Sequence, residues 1–272
     1  MKVVEANGAR IPALGLGTWQ LTGKACARLV EQALRLGYRH IDTAQAYENE
    51  EAVGEGLHAS GVSRKDIFVT TKIWYTRLAP TELERAVKES LVRMRLTELD
   101  LVLVHWPNPQ VPLAETMGAL AKVKRAGLVR HIGVSNFTVA LLDEAVKVCP
   151  EPLVTNQVEY HPYLDQSKVI AACRRHGLSV TAYSPIARGR ATDNKVLARI
   201  AAAHGKTEAQ VSLRWLMQQD VIAIPRTSKV ERLSENMAIF DFELSEDEMK
   251  EIARLARPDG RVVNVAWAPN WD

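Results

Sequence analysis

The chain has 272 residues and a formal net charge of +3, from 35 lysine and arginine residues against 32 aspartate and glutamate residues. This charge is too small for a protein that binds nucleic acid through a bulk basic surface, so any bound anion must be held by a local site. Hydrophobic residues make up 47% and charged residues 25%, which is typical of a soluble globular chain. We therefore expect no nucleic-acid partner.

The sequence also indicates the compartment. Its start, MKVVEANGARIP, lacks the apolar run of roughly 7–15 residues that a secretory signal needs. No stretch approaches the roughly 18 uninterrupted apolar residues of a membrane helix, so no membrane partner is expected. The three cysteines, Cys26, Cys149 and Cys173, are odd in number and form no CxxC pair. This pattern argues against a disulfide framework and favours a cytoplasmic location.

Short apolar runs alternate with helical patterns along the chain. The first feature is a predicted hairpin, Val3–Ala6 and Ala9–Pro12, around the turn signal Asn7-Gly8. Eight predicted strands follow: Ala13–Thr18, Tyr38–Asp42, Ile67–Lys72, Leu101–His105, Ile132–Ser135, Val154–Val158, Ser179–Tyr183 and Val221–Pro225.

The predicted helices lie between these strands. Several end at a glycine, as helix C-termini commonly do. They are Lys24–Leu36, one that opens at Pro80, Leu113–Ala126, Val139–Cys149, Gln166–His176, Lys195–His204, Glu208–Gln219 and Glu231–Ile239.

This alternation predicts an α/β fold, a single (β/α)8 TIM barrel that follows an N-terminal β-hairpin. A β-α unit needs about 30 residues, and eight parallel strands are the number that closes such a barrel. A doubly wound open sheet is the alternative. No linker or repeat divides the chain, so we predict one domain over residues 1–272. In such barrels the chemistry lies at the carboxyl ends of the strands.

Four chemically distinct side chains follow three neighbouring predicted strands: Asp42 with Tyr47, then Lys72, then His105. Each alone is readily explained as structural, a solvated lysine tip or a core histidine. Together they are harder to explain so, because a buried lysine requires a partner charge, which Asp42 can supply.

This group of residues can donate a proton. A tyrosine has an ordinary pKa of about 10, and a nearby ammonium lowers that value by stabilising the phenolate. Asp42 would keep Lys72 charged, and His105 could hold a substrate carbonyl in place. We therefore predict a general acid above an electrophilic carbonyl, without a side-chain nucleophile. A hydride from a nicotinamide would supply what is missing.

The common nucleotide motifs are incomplete. Gly15-Leu16-Gly17 is followed by Gln20 where a dinucleotide fingerprint has glycine, and Gly17 to Lys24 has one residue too many for a P-loop. These glycines are interpreted as tight strand geometry. No HExxH motif is present, and we predict no metal site.

Later strand ends offer groups for a cofactor. Amides, hydroxyls and an aromatic ring suit a carboxamide and a flat ring; they belong to Ser135, Asn136, Gln157, Tyr183 and Ser184. The last strand runs into Arg226 and Thr227, and Arg232 follows on the next helix with Glu235 and Asn236. Two arginines beyond the eighth strand favour a 2′-phosphate, and therefore NADPH/NADP+ over NADH.

The chain resembles the aldo-keto reductases from about Val3 to Asp272. The segment 37–44 (GYRHIDTA), with Tyr47, Glu50 and Gly54, is similar to the first family signature, and 132–137 (IGVSNF) to the second. Ile224 through Asn236 is similar to the third. Within the family, the chain looks most like bacterial 2,5-diketo-D-gluconate reductases, which also act on methylglyoxal-like aldehydes.

The resemblance implies roles for the same residues. Asp42, Tyr47, Lys72 and His105 match the catalytic tetrad, with Tyr47 as proton donor. Ser135, Asn136 and Gln157 match the residues that bind the carboxamide, and Tyr183 matches the residue that stacks on the nicotinamide ring. Arg226, Thr227 and Arg232 match the residues that bind the 2′-phosphate. Glu235 and Asn236 match the residues that contact the adenine. Trp19, Trp74 and Trp106 look like substrate walls, and Trp267 and Trp271 are candidates to cap the pocket.

The resulting hypothesis is an NADPH-dependent reductase of small aldehydes and ketones that acts as a monomer on a small-molecule carbonyl substrate. Two alternatives stay open. One is a nucleotide-binding redox-sensing or structural protein on a reductase scaffold, which would not need all four catalytic groups. The other is a lyase that forms a Schiff base on Lys72, and a carboxylate that keeps this amine protonated argues against it.

Overall fold

Eight parallel strands form the centre of the molecule, in a computed structural model that describes residues 2–272, apart from the side chains of residues 191–193. The strands are β1 Val3–Ala6, β2 Ala9–Pro12, β3 Leu16–Gly17, β4 His40–Asp42, β5 Phe68–Ile73, β6 Leu99–Val104, β7 Val129–Ser135, β8 Leu153–Glu159, β9 Ser179–Tyr183 and β10 Ile222–Ala223. The helices are α1 Gly23–Arg35, α2 Glu50–Ala59, α3 Pro80–Met94, α4 Leu113–Arg125, α5 Val139–Val148, α6 Ser167–Arg175, α7 Lys195–His204, α8 Glu208–Gln218, α9 Glu231–Met237 and α10 Glu246–Ala253.

The sheet closes on itself. Strands β3 to β10 pair in chain order, each parallel to the next. The two end strands then meet, because the Gly15 amide donates to Ala223 O at 2.9 Å and the Gly17 amide donates to Pro225 O at 3.0 Å. The predicted (β/α)8 barrel is therefore confirmed, and the doubly wound open sheet is excluded.

Helices surround the strands, and both layers bury apolar side chains. Every residue of β5 and β6 is buried, as expected for parallel strands that are covered on both faces. Helix α1 turns Cys26, Leu29 and Ala33 towards the sheet, and these residues share one helical face. The barrel wall and the inner faces of the helices thus form one continuous core.

The predicted hairpin is confirmed and covers the amino-terminal face of the barrel. Strands β1 and β2 pair antiparallel around Asn7 and Gly8, which both have positive φ. Asn7 Nδ2 donates to Leu153 O at 2.7 Å, where β8 begins. The carboxyl ends of the strands open on the opposite face.

The glycines before α1 have the predicted strand role. A Cβ on Gly17 would lie 2.8 Å from Ile224 O, so only glycine permits this contact where the barrel closes. All eight barrel strands were predicted, but β3 and β10 are shorter than expected. Pro225 has no backbone N–H and therefore cannot extend the ladder of β10.

Candidate active site

The four predicted catalytic side chains lie together at the carboxyl ends of three neighbouring strands. Asp42 is the last residue of β4, Lys72 belongs to β5, and His105 follows β6 directly. Tyr47 ends a short 3-10 turn over residues 45–47, which begins three residues after β4. The loop after β4 thus carries the phenol back over the ends of the strands.

Asp42 and Lys72 form a buried ion pair. Lys72 Nζ lies 2.5 Å from Asp42 Oδ1, and the two side chains are 1% and 2% exposed for Lys72 and Asp42 respectively. The ammonium also donates to Thr43 O at 2.8 Å and to Tyr47 Oη at 3.3 Å. Burial lowers the pKa of Lys72, but its contacts with Asp42 and Tyr47 raise it more, so the net pKa lies above its ordinary value.

These contacts restrict what Lys72 can do. An amine nucleophile must be free of its proton and have access to the substrate. The Lys72 ammonium instead has three oxygen acceptors and a raised pKa. The arrangement does not suit Schiff-base chemistry on this residue.

The pKa of Tyr47 differs from the sequence-based expectation. We expected the Lys72 ammonium to lower it, and the ammonium does act in that direction. Burial of the phenol is the larger effect, however, and it raises the pKa of Tyr47 above its ordinary value. The expectation of a net decrease was therefore wrong for this state of the protein, in which the phenol is a protonated donor.

His105 is held in its neutral form beside the phenol. The rings of Tyr47 and His105 lie 5.7 Å apart, edge to face, and the Trp74 ring packs edge-on against His105 at 5.2 Å. Burial, with a smaller contribution from the Lys72 charge, places the pKa of His105 well below its ordinary value. Within the described residues, nothing bonds to its buried Nδ1. A neutral imidazole and a phenol therefore face the same opening.

The predicted carboxamide ligands lie in one hydrogen-bonded row beside this group. Gln157 Nε2 donates to Asp42 Oδ2 at 2.8 Å, and Ser135 Oγ donates to Gln157 O at 2.7 Å. Asn136 Nδ2 donates to His105 O at 2.9 Å, and Tyr183 Oη donates to Asn136 Oδ1 at 2.8 Å. Asn136 and Ser184, which follows β9, both have positive φ. The row connects the catalytic group to the ends of β7, β8 and β9.

Only part of the predicted phosphate and adenine group is exposed. Arg226 and Arg232 are exposed, whereas Thr227 and Asn236 are buried. Arg226 Nε donates to Trp19 O at 3.2 Å, so this side chain contacts the loop after the neighbouring strand β3. Glu235 Oε1 accepts from Thr207 Oγ1 at 2.9 Å, which ties α9 to α8.

The three predicted wall tryptophans differ in exposure. Trp19 is exposed, Trp74 is partly buried, and Trp106 is only 5% exposed. The guanidinium of Arg188, a residue that the sequence reasoning missed, lies 4.7 Å from the Trp19 ring. Its position after β9 was the only available signal.

The carboxyl-terminal segment, residues 254–272, crosses the opening. The Trp267 ring stacks on Tyr75 at 5.6 Å and meets Trp74 edge-on at 5.7 Å. The Trp271 ring meets Trp106 at 6.0 Å. These contacts place both tail tryptophans beside the wall residues, where the sequence had suggested a cap. Tyr75 was not predicted as a contact, although it directly follows Trp74.

Comparison with known proteins identifies the family. A profile of the Aldo/keto reductase family matches residues 13–257, which is most of the chain. The chain belongs to this family. Methylglyoxal reductase DkgB from Escherichia coli O157:H7 is 44% identical over 265 residues, which cover 96% of this chain and 99% of that protein. This aldo/keto reductase is accordingly an oxidoreductase that acts on carbonyl groups.

Solved structures agree with this assignment. The crystal structure of a "putative 2,5-diketo-D-gluconic acid reductase B" has a TM-score of 0.98, with 50% identity, over 100% of this chain and 98% of that chain. The Bombyx mori aldo-keto reductase in complex with NADP has a TM-score of 0.90 and 32% identity over 97% of this chain and 95% of that one. The predicted similarity to diketogluconate reductases is confirmed, and the family supports a nicotinamide cofactor. No helix within residues 2–272 is long and apolar enough to span a membrane.

Proposed function

We propose that this aldo/keto reductase is an NADPH-dependent reductase of small aldehydes and ketones, and that Tyr47 donates the proton. One observation carries the proposal: the Tyr47 hydroxyl lies 3.3 Å from the Lys72 ammonium and beside the His105 ring, at the mouth of the barrel. Donors placed where negative charge develops on a carbonyl oxygen are the most effective form of catalysis for such a reaction.

Each member of the group has a separate task. Tyr47 donates its phenolic proton to the carbonyl oxygen, and the adjacent Lys72 ammonium stabilises the phenolate that remains. Asp42 holds Lys72 charged and in position through the 2.5 Å contact. His105, neutral because it is buried, can donate an N–H to the same carbonyl oxygen and hold it in plane.

The residues present fit a nicotinamide cofactor. When bound, NADPH supplies the hydride. Within the described chain no group donates to Gln157 Oε1, so this atom is available to a carboxamide N–H. The Tyr183 ring is partly exposed at the end of β9 and offers a flat surface. We assign the carboxamide contacts to Ser135, Asn136 and Gln157, and ring stacking to Tyr183 with Ser184 next to it.

The proposal of NADPH rather than NADH rests on the exposed guanidinium groups. Arg226 and Arg232 lie just beyond β10, where neither is paired with a carboxylate of the described residues. Two guanidiniums without a carboxylate partner suit the charge and geometry of a 2′-phosphate. We assign this role to them with Thr227, and the adenine contacts to Glu235 and Asn236.

The substrate class follows from the walls and from the relatives. Trp19, Trp74 and Trp106 give the opening an aromatic lining with few hydrogen-bonding groups, which selects by shape more than by polar contacts. Relatives are named for methylglyoxal and 2,5-diketo-D-gluconic acid reduction. We propose that this chain reduces carbonyls of the same two kinds.

A panel of carbonyls at fixed NADPH tests the proposal. We expect the absorbance of NADPH to fall with methylglyoxal or 2,5-diketo-D-gluconate, and to stay constant without a carbonyl. Quenching of tryptophan fluorescence by NADPH, without oxidation across the whole panel, would instead support a nucleotide-binding protein without turnover.

A further inference from the structure

A buried carboxylate at the end of β8 has no part in the chemistry proposed above. Glu159 is fully buried, two residues beyond Gln157 on the same strand, and so on the same face. Its backbone oxygen accepts from Gln166 Nε2 at 2.7 Å. An ionised carboxylate in this position must be fully hydrogen-bonded, because burial of an unsatisfied charge is costly.

Two of the partners of this carboxylate come from the carboxyl-terminal segment. The Val262 amide donates to Glu159 Oε1 at 2.6 Å, and the Val263 amide donates to Glu159 Oε2 at 2.8 Å. His161 Nε2 lies 2.9 Å from Oε1. Glu159 thus connects the barrel to two consecutive backbone amides that are more than a hundred positions away in the sequence.

The chain immediately before these amides packs closely against the barrel at Gly260. A Cβ on Gly260 would overlap Tyr163 O, so only glycine fits at this position. The next residue, Arg261, places its guanidinium 3.7 Å from the centre of the Trp271 ring. The segment is therefore fixed at its root, and the residues that follow lead directly to the tryptophans at the opening.

The contacts that Trp267 makes further along the segment are weaker. Trp267 is 41% exposed, and among the described residues its ring contacts with the barrel are those with Trp74 and Tyr75. Aromatic contacts at such an exposed position are individually weak. The two charge-assisted hydrogen bonds from the Val262 and Val263 amides to Glu159 are stronger and more directional than these ring contacts.

We propose that Glu159 is a positioning residue for substrate specificity. Its hydrogen bonds with the Val262 and Val263 amides, here called the carboxyl-terminal pin, hold the carboxyl-terminal segment so that Trp267 and Trp271 form part of the pocket wall. Glu159 acts through the segment: it pairs with Tyr183 along β8 and β9, but among the described residues its carboxylate forms no hydrogen bond with Tyr183 or with the Tyr47 group. The expected effect on KM rests on the proposed reductase activity. The hydrogen bonds that hold the segment are present without substrate and do not depend on that activity.

Glu159→Gln tests the pin by replacing one acceptor oxygen with an N–H₂ group that repels a backbone amide. We expect KM for the carbonyl to rise by about tenfold, with kcat and the Kd of NADPH within about threefold of wild type, because only the wall moves. Asp100→Asn is the matched control. Asp100 is a buried carboxylate that accepts the Val69 amide at 2.9 Å, at the opposite end of the barrel.

A double-mutant cycle with Trp267→Ala shows whether Glu159 acts through the segment. In the Trp267→Ala background, the effect of Glu159→Gln on KM should shrink to less than about threefold. An equal factor in both backgrounds would mean that Glu159 acts directly on substrate or cofactor, and an unchanged KM would mean that no pin exists. Either result overturns the proposal.

Amide hydrogen exchange in the wild-type protein tests the pin without any variant. The Val262 and Val263 amides should exchange at least about a hundredfold more slowly than those of Ala266 and Asn270 in the same segment. Equal exchange rates would overturn the proposal. If the wild-type protein oxidises no NADPH with any carbonyl, the proposed function fails, while the exchange measurement still decides whether Glu159 holds the segment.

Discussion

The buried ion pair of Asp42 and Lys72 gives the sharpest prediction about stability. Asp42→Asn keeps the shape of the side chain but removes its charge, so Lys72 must stay charged without a counter-ion or lose its proton. Removing one partner of a buried pair typically costs about 3–5 kcal/mol. The lower end applies if the introduced amide keeps its oxygen towards Lys72, since the ammonium also retains the acceptor Thr43 O at 2.8 Å.

The variant Lys72→Met leaves the opposite charge unpaired and should cost a similar amount. The double variant Asp42→Asn/Lys72→Met contains no buried charge at this place. Its loss of unfolding free energy should therefore be at least about 2 kcal/mol smaller than the sum of the two single losses. This difference is the coupling free energy, and it shows that each charge is stabilised by the other.

Equilibrium unfolding in urea at neutral pH measures this coupling. With a slope of about 3 kcal/mol per molar urea for a chain of this size, each single variant should shift the midpoint by about 1–2 M. Additive losses in the double variant would refute the reasoning, because they would show that each charge is stabilised independently. All three variants should lose carbonyl reduction, since each disturbs the group around Tyr47.

Two further predictions concern the cofactor and pH. Arg226→Ala/Arg232→Ala should raise the Kd of NADPH by at least about tenfold and the Kd of NADH by less than about threefold, both measured by fluorescence quenching. The reason is that charged hydrogen bonds contribute about 1.5–3 kcal/mol each, a value that solvent exposure reduces. An equal rise in both Kd values would show that the arginines do not contact the 2′-phosphate. His40 and His105 both have pKa values below the ordinary 6.5 because they are buried. The unfolded chain therefore binds more protons below about pH 6.5, so the unfolding free energy should fall there by up to about 1.4 kcal/mol per pH unit for each histidine. His105→Asn should remove the contribution of one histidine to this dependence of the unfolding free energy on pH. If urea titrations show the same pH dependence in the variant as in the wild type, they would contradict the burial of a neutral imidazole.

The barrel could be predicted because its periodic features are strong. Eight apolar runs, all but the second followed by a predicted helix, leave few topologies for a chain of this length. Two helices escaped this reasoning. Helix α2 contains Gly54 and Gly56, which weaken its helical signal, and a Cβ on Gly54 would lie 2.6 Å from Met94 O. These glycines serve close packing between helices, which no local pattern reveals.

Helix α10 was missed for another reason. Its capping box, Ser245 with Glu248, is a recognisable start signal, but the helix has only eight residues and buries only Ile252, so its apolar pattern is weak. The carboxyl-terminal pin could not be predicted at all. Glu159 and the Val262 amide are far apart in sequence, and a backbone amide carries no side-chain signature.

The site was predicted to the extent that its residues occupy strand ends. Asp42, Lys72 and His105 are placed by β4, β5 and β6, so their convergence follows from the topology alone. The balance of forces on Tyr47 did not follow, because it depends on burial as well as on the distance to Lys72. A pKa is set by desolvation and neighbouring charge together, and only the second could be inferred from the sequence.

The most direct test of the proposed function is Tyr47→Phe, which removes one oxygen atom from the group. The phenol is the only group that the proposal lets transfer a proton to the carbonyl oxygen, because His105 only donates a hydrogen bond to it. Carbonyl-dependent oxidation of NADPH should therefore fall by at least about a hundredfold, as for loss of a general acid. The Kd of NADPH, measured by fluorescence quenching, should stay within about threefold of wild type. Near-native turnover in this variant would contradict the account.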